Sequence, residues 1–401
     1  MTGENIICFA KDWDEDPTSN NHVMRLFARD NRVLWLNSIA TRTPNLRDGR
    51  DLSKMFRKVL SFFRGPRNVS DSLWVYTPVV LPFPHSRIAI RLNAWILRAT
   101  LSFLRRRLGI RDFQLWIFLP TAGVYAGKLG ESLLVYYVTD EWSKFGYVDE
   151  KGVAANDLAL CKKADVVFCT ARLLRERRQK LNPEVHLSLH GVERSHFAAA
   201  LEEQTRVPGD IATLPGPILG FFGWIHEWID LALIEFIASR HPEWTIVMIG
   251  KTSVDVSQLK KYPNVHFLGR KPYQDLPGYC RGFDVGLIPF VVNELTVNVN
   301  PIKLREYLSA GLPVVSTALP EVGGFDGDCY VANDYESFVL GVERALREGD
   351  PAARHRRSAL MRSEIWESKI VELGRQTMQA AGRKRREVAA NRMIAAPLTQ
   401  M

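Results

Sequence analysis

Short apolar runs rich in β-branched and aromatic residues alternate with stretches of helical spacing along most of this chain. In the first half the runs at 5–10, 32–37, 114–119, 133–139, 166–170 and 185–189 read as strands. They are apolar almost throughout rather than at every second residue, which predicts burial on both faces and a parallel sheet wrapped by helices. After a Pro- and Gly-rich joint at 207–217 the scheme repeats, with strand patterns at 218–222, 244–249, 265–268, 285–289, 314–317 and 329–331. Helical patterns at 231–239 and 301–310 lie between them. The alternation predicts the α/β class. At 401 residues the chain is too long for one ordinary core, so the expectation is two Rossmann-like, doubly wound domains facing a cleft, over residues 1–205 and 206–375. Residues 376–401 read as a basic tail, mobile or lightly docked. Ligands of open parallel sheets bind beyond the carboxyl ends of the strands, so the loops there are where chemistry is expected.

The most informative segment is NPIKLREYLSAGLPVVST, residues 300–317. Asn300 suits an N-cap, Pro301 the first turn and Gly311 the left-handed position after a helix, while Pro313 stops the helix before a buried strand. A helix N-terminus opening at a cleft presents backbone N–H groups and a positive dipole end, which together favour a diphosphate. Lys303 and Glu306 stand three apart and share a face. The carboxylate can accept from two ribose hydroxyls and the ammonium can offset phosphate charge; the same spacing also suits a surface ion pair.

This segment resembles the helix P-[IVL]-K-[LF]-x-E-Y-x-[AS]-x-G-x-P-V-[VI] of group-1, family-4 glycosyltransferases, and FDVGLIPF (283–290) and NVHFLGR (264–270) follow the same family in order and spacing. The resemblance spans about 218–343, with weaker support from LHGVERSHF at 189–197. It implies a GT-B glycosyltransferase that takes a sugar from a nucleotide-sugar, with UDP the commoner nucleotide. Glu306 becomes the ribose carboxylate, Gly223 part of a loop near the diphosphate and Gly269 a neighbour of the base pocket. The chain departs from the family at two places: Asn298 stands where a second Glu is usual, and the loop GWIHEWID (223–230) lacks the usual Arg/Lys pair. Asn298 keeps a hydrogen-bonding group without charge, so Thr296, Asn298 and Lys303 complete the donor-site candidates. The stretch G-x-x-x-E-W-x-D at 223–230 and N-E-L-T at 293–296 resemble a subset that builds teichuronic acid and exopolysaccharides.

In the first half, the strand pattern at 133–139 runs into Asp140 and Glu141. Asp140 is the candidate general base that would take a proton from an acceptor hydroxyl, the alternative being a helix cap with a solvated acid. An acidic base there implies inversion of the anomeric centre, whereas the family resemblance implies retention, and both stay open. His22 follows the first strand and is a second catalytic candidate, or simply a residue that begins a helix. Asp326-Gly327-Asp328 and Asp12-Trp13-Asp14 each spell D-x-D, but a helix-based phosphate site needs no metal, so neither a metal nor another cofactor is expected.

The net charge of +9 is uneven. From Lys54 to Arg111 there are twelve Lys and Arg against one acid, Asp71. Residues 87–108 suit one helix on which Arg87, Arg91, Arg98 and Arg105 fall within about 40° of one another. Ile88, Leu92, Trp95, Ile96, Leu101, Phe103 and Leu104 surround this stripe, and residues 56–67 mix aromatics with Arg and Lys. Basic side chains beside aromatics suit an anionic membrane surface, and a glycan acceptor carried on a lipid would use both. No uninterrupted apolar run spans a bilayer and residues 1–12 lack a signal-peptide pattern, so a cytoplasmic enzyme, peripheral at the inner face of the plasma membrane, is expected. The five cysteines are far apart and read as reduced core thiols. Competing readings are a GT-B nucleotide-sugar epimerase, which needs no acceptor, and a catalytically silent relative that binds glycan or nucleic acid. Nucleic acid is not an expected partner, because no motif for it accompanies the charge.

Overall fold

A computed structural model describes residues 1–39, 64–83, 86–325 and 327–395, with side chains up to 391. The chain forms two compact units, Met1–Ser188 together with Ile370–Met401, and Leu189–Lys369.

In the first unit the strands are β1 (Asn5–Phe9), β2 (Arg32–Leu36), β3 (Arg67–Ser70), β4 (Leu73–Tyr76), β5 (Gln114–Ile117), β6 (Leu133–Val138), β7 (Val166–Cys169) and β8 (Val185–Leu187). They form one sheet in the order β3-β4-β2-β1-β5-β6-β7-β8. All neighbours pair in parallel except β3 with β4. The order reverses direction between β1 and β5, a topological switch point. β6 is buried at every residue, as its unbroken apolar run LLVYYV requires. Helices α1 (Ser19–Phe27), α2 (Arg87–Leu108), α3 (Glu150–Lys163) and α4 (Arg172–Gln179) connect the strands.

The second unit holds β9 (Ile218–Phe222), β10 (Thr245–Ile249), β11 (Val265–Gly269), β12 (Val285–Ile288), β13 (Val314–Thr317) and β14 (Cys329–Ala332), ordered β11-β10-β9-β12-β13-β14 and parallel throughout. Here the switch point lies between β9 and β12. Helices α5 (Leu231–Arg240), α6 (Ile302–Ser309), α7 (Tyr335–Leu346), α8 (Pro351–Leu360) and α9 (Trp366–Ala395) follow, the last continuing into the first unit. A Cβ on Gly286 would stand 2.6 Å from the Tyr307 ring, so a glycine in β12 is what lets α6 lie against the sheet.

Two domain limits differ from the sequence reading. The first unit ends at Ser188, not 205, because residues 189–205 dock on the second: Phe197 is fully buried and stacks on Phe222 at 5.9 Å, and Val192 donates to the Glu364 carbonyl at 2.9 Å. The basic C-terminal segment is not a loose tail. Through residue 395 it is helix, with Leu373, Thr377 and Ala380 buried, Arg383 paired with Glu184, and Lys384 2.6 Å from Asp165. All five cysteines are buried, and none is in a disulfide.

Candidate functional site

The carboxyl ends of β9, β10 and β11 meet through glycine backbone. Gly223 donates to Ile249 O and Gly250 to Gly269 O, both at 2.9 Å. A Cβ on Gly250 would lie 1.7 Å from the Gly223 carbonyl oxygen, so no side chain fits between the two loops. At Gly223 a Cβ would stand 3.4 Å from Cε of Lys303, which places the start of α6 beside this junction. Lys303 Nζ lies 4.8 Å from the Phe222 ring centroid and 2.7 Å from Glu306 Oε2. Gly269, Gly223, Lys303 and Glu306 thus form one line along the carboxyl edge, at the switch point where α/β sheets hold their ligands. Glu306 is only 4% exposed, and beside it the Tyr307 hydroxyl accepts from Phe222 N at 3.1 Å, pinning α6 to the end of β9.

No side chain caps α6, and its first turn has no acidic residue. Its leading N–H groups and positive dipole end therefore suit an anionic ligand. The predicted cap is corrected here: Pro301, not Asn300, occupies the N-cap position. Asn300 is buried and its Oδ1 instead accepts from Arg305 Nη1 at 2.8 Å, while Arg305 Nε reaches Glu364 at 3.0 Å. Thr296 is likewise turned inward: its hydroxyl donates to the Val291 carbonyl and accepts from Asn293 N at 3.0 Å, which holds the 291–298 turn. Asn298 differs. It is fully buried, its Nδ2 donates to Glu294 O at 2.7 Å, and its Oδ1 has no hydrogen-bond partner among the described residues.

Sequence reasoning missed the aromatic cluster on the loop after β9. Trp224 meets Trp228 edge-to-face at 5.3 Å and His226 at 4.6 Å, while His226 stacks on Trp228 at 4.5 Å. Lys251 Nζ stands 5.0 Å over the Trp224 ring. Burial, aided by Lys251 and opposed by Glu227, holds the His226 imidazole below its ordinary pKa. The spacing W-x-H-x-W was the available signal.

In the first unit Asp140 follows β6 and is partly buried. Burial pushes its carboxyl up to about 6; a hydrogen bond with the Thr139 side chain pulls the other way, and neighbouring Glu141 adds to the rise. Glu141 itself is committed to Arg177 at 3.6 Å and to the buried Arg178 at 3.5 Å. Arg178 also holds Asp157 at 3.0 Å, and Asp157 accepts from Tyr136. The protonation of Asp140 thus lies in reach of neutral pH. His22, by contrast, sits within α1 rather than on an open loop and is 5% exposed.

Both D-x-D stretches have structural employment. Asp12 accepts from Ser38 N and Oγ at 3.0 and 2.7 Å, Asp14 pairs with Arg67 at 2.7 Å, and Asp328 pairs with Arg356 at 2.9 Å; Asp326 lies outside the described residues.

Residues 216–348 match the family model of glycosyl transferases group 1. The chain is 28% identical, over 67% of its length and 71% of the relative's, to TuaH of Bacillus subtilis (strain 168), a glycosyltransferase provisionally assigned to teichuronic acid biosynthesis. The chain has the GT-B fold, and its second unit carries a group 1 glycosyl transferase domain. Its fold resembles sucrose-phosphate synthase of Thermosynechococcus elongatus, with a TM-score of 0.66 and 14% identity over 94% of this chain and 98% of that one. It also resembles Anabaena HepE, solved with UDP and glucose, with a TM-score of 0.65 and 11% identity over 93% and 99%.

Proposed function

We propose that this enzyme transfers a sugar from a UDP-sugar to a lipid-linked glycan acceptor at an anionic membrane surface, in building a cell-surface polysaccharide or exopolysaccharide. The observation that carries the reading is α6: an uncapped helix N-terminus at the switch point, with Lys303 and the buried Glu306 directly behind it. Glu306 accepts from the ribose hydroxyls, the helix N-terminus and Lys303 take the diphosphate, and Asn298 Oδ1 accepts from a sugar hydroxyl. Helix and ammonium supply the positive charge a leaving diphosphate requires, so transfer proceeds without a resident metal. HepE, solved with UDP and glucose, and TuaH, assigned to teichuronic acid, support the donor class and the product class respectively.

Asp140 accepts a hydrogen bond from the acceptor hydroxyl and takes its proton as the new glycosidic bond forms and UDP departs with the bonding pair. The product's configuration reports the route: proton transfer to Asp140 opposite the leaving group gives inversion, transfer to the leaving diphosphate gives retention. His22, enclosed in α1, has no assigned step.

The membrane assignment rests on α2. Ile88 is 79% and Trp95 68% exposed, with Leu92 and Phe103 also outward, and Arg87, Arg91 and Arg98 lie exposed beside them. Arg105 leaves the predicted stripe, packing 4.6 Å over Phe113 and donating to the Arg111 carbonyl, and Leu101 and Leu104 are buried. Leu81 and Phe83 continue the exposed apolar surface, their segment anchored where Asn93 bonds Leu81 N at 2.7 Å and Leu81 O at 3.0 Å. The basic, aromatic-rich stretch at 54–63 lies outside the described residues. Among those described, no helix is long and apolar enough to cross a membrane.

The test is turnover. A panel of UDP-hexoses is incubated with enzyme and a polyprenyl-diphosphate-linked amino sugar in phosphatidylglycerol vesicles. UDP release that requires the lipid-linked acceptor is expected. Conversion of a UDP-sugar without acceptor would make the chain an epimerase, and nucleotide binding without turnover would make it a silent relative.

A further inference from the structure

The loop after β9 carries no Arg or Lys, yet it opens directly from Gly223 at the donor edge and presents three aromatic rings in mutual contact. Its backbone is fixed on both sides: Ile225 and Ile229 are buried and bridge to Thr252 and Phe290. Trp224 is nonetheless 38% exposed, and its Nε1 donates to Ser253 Oγ at 2.7 Å, which sets the plane of the indole. Trp228 and His226 brace it edge-on, so little rotamer freedom remains to be lost on binding. The Ser253 hydroxyl sits at the edge of the ring and the Lys251 ammonium stands 5.0 Å over one of its faces, while the Glu227 carboxylate lies 4.0 Å from His226 Nδ1. A rigid, exposed aromatic face with a polar fringe matches a ligand that is apolar on one face and hydroxylated at its edge.

We infer that Trp224 is a platform for a pyranose ring, with Trp228 and His226 as its braces, and that it confers sugar specificity on the transfer reaction. The axial C–H groups of the sugar lie on the indole, and its hydroxyls reach Lys251, Ser253 and Glu227. The inference rests on the donor-site reading of α6 and deepens it, because it names a contact to the sugar rather than to the nucleotide. The ring is that of the donor or of the acceptor's terminal residue, and the same experiment separates them.

Wild type, Trp224→Ala, Trp224→Phe and Ser253→Ala are titrated with UDP, with UDP-glucose and UDP-N-acetylglucosamine, and assayed for acceptor KM. Trp224→Ala is expected to bind UDP within twofold of wild type and to lose roughly three- to tenfold in affinity for the UDP-sugar, the scale of an aromatic stacking contact. If the UDP-sugar is unaffected and acceptor KM rises by the same factor, the platform holds the acceptor pyranose instead. In either case Trp224→Phe recovers most of the loss and Ser253→Ala, which keeps the ring, loses less than Trp224→Ala. Unchanged UDP-sugar affinity and unchanged acceptor KM in Trp224→Ala would overturn the inference. So would a loss of UDP affinity in step with that of the UDP-sugar, which would mean the ring merely supports the loop. Failure of wild type to bind any nucleotide would sink the donor-site reading instead; the platform would then stand or fall on whether Trp224→Ala weakens binding of an alkyl hexoside.

Discussion

Replacing Asp140 by Asn should make the protein more stable and less active at once. In the fold the carboxyl titrates near 6, against an ordinary value of 3.8. The folded chain therefore holds this proton more tightly than the unfolded chain. The stability linked to it is fully present below pH about 4, falls as pH rises through the window from 3.8 to about 6, and is absent above it. A tenfold difference in proton affinity between the two states is worth about 1.4 kcal/mol, so the ionised carboxylate costs the folded state on the order of 2–3 kcal/mol at pH 8, less whatever solvent reaching it recovers. Asparagine fills the same volume, can keep the Thr139 hydrogen bond and has no charge to desolvate. For a domain of this size about 1 kcal/mol moves Tm by roughly 2–4 °C, so a gain of about 3–8 °C at pH 8 and almost none at pH 4 is expected. Transfer should fall by about a hundredfold or more if Asp140 takes the acceptor proton, with UDP affinity unchanged. Wild-type kcat should rise with pH through about 6 and level off, because the base must be ionised. Differential scanning fluorimetry at the two pH values, paired with UDP-release rates, reads both effects. A variant that is destabilised at pH 8, or that transfers sugar at the wild-type rate, would refute the reasoning.

Three further outcomes follow from the structure. Trp95→Ser with Phe103→Ser should leave turnover on a soluble acceptor intact and reduce co-sedimentation with phosphatidylglycerol vesicles, and Arg87→Glu with Arg91→Glu should weaken it further, at about 1 kcal/mol per lost cation. Tyr307→Phe removes the acceptor for Phe222 N and strands a buried N–H, so chemical denaturation should show a loss of about 1–3 kcal/mol. Chelation with EDTA should leave UDP release unchanged, since helix N-terminus and Lys303 are assigned the charge work; an order-of-magnitude drop, restored by a divalent cation, would count against that assignment.

The strands of both sheets were legible because buried parallel strands leave continuous apolar runs, as LLVYYV in β6 does. β3 was not: RNVS is exposed at every position, and its antiparallel pairing at the sheet edge leaves no apolar signal; β4, the apolar run LWVY, was passed over. The domain limit was misplaced since the docking of residues 189–205 depends on tertiary contacts such as Phe197 on Phe222, which composition does not encode. In the C-terminal segment, the abundance of Arg and Lys concealed a helical stripe of Leu373, Thr377 and Ala380 that faces the fold. The Lys303–Glu306 ion pair was readable from its i,i+3 spacing. The N-cap reading of Asn300 failed because Arg305 offered its side chain another partner, and the Thr296 hydroxyl is likewise held by the Val291 carbonyl. Trp224, His226 and Trp228 were visible as letters, but their packing follows from the backbone bridges at Ile225 and Ile229.

The most direct test of the donor site is calorimetric titration of wild type, Glu306→Ala and Glu306→Gln with UDP, with melting curves to verify that each variant is folded. Wild type should bind, and Glu306→Ala should bind more weakly by roughly 1.5–3 kcal/mol, about ten- to hundredfold, with Glu306→Gln in between because its amide oxygen still accepts. Equal affinity of folded wild type and Glu306→Ala, or no binding of UDP by wild type at millimolar concentration, would contradict the assignment of α6 as the nucleotide helix.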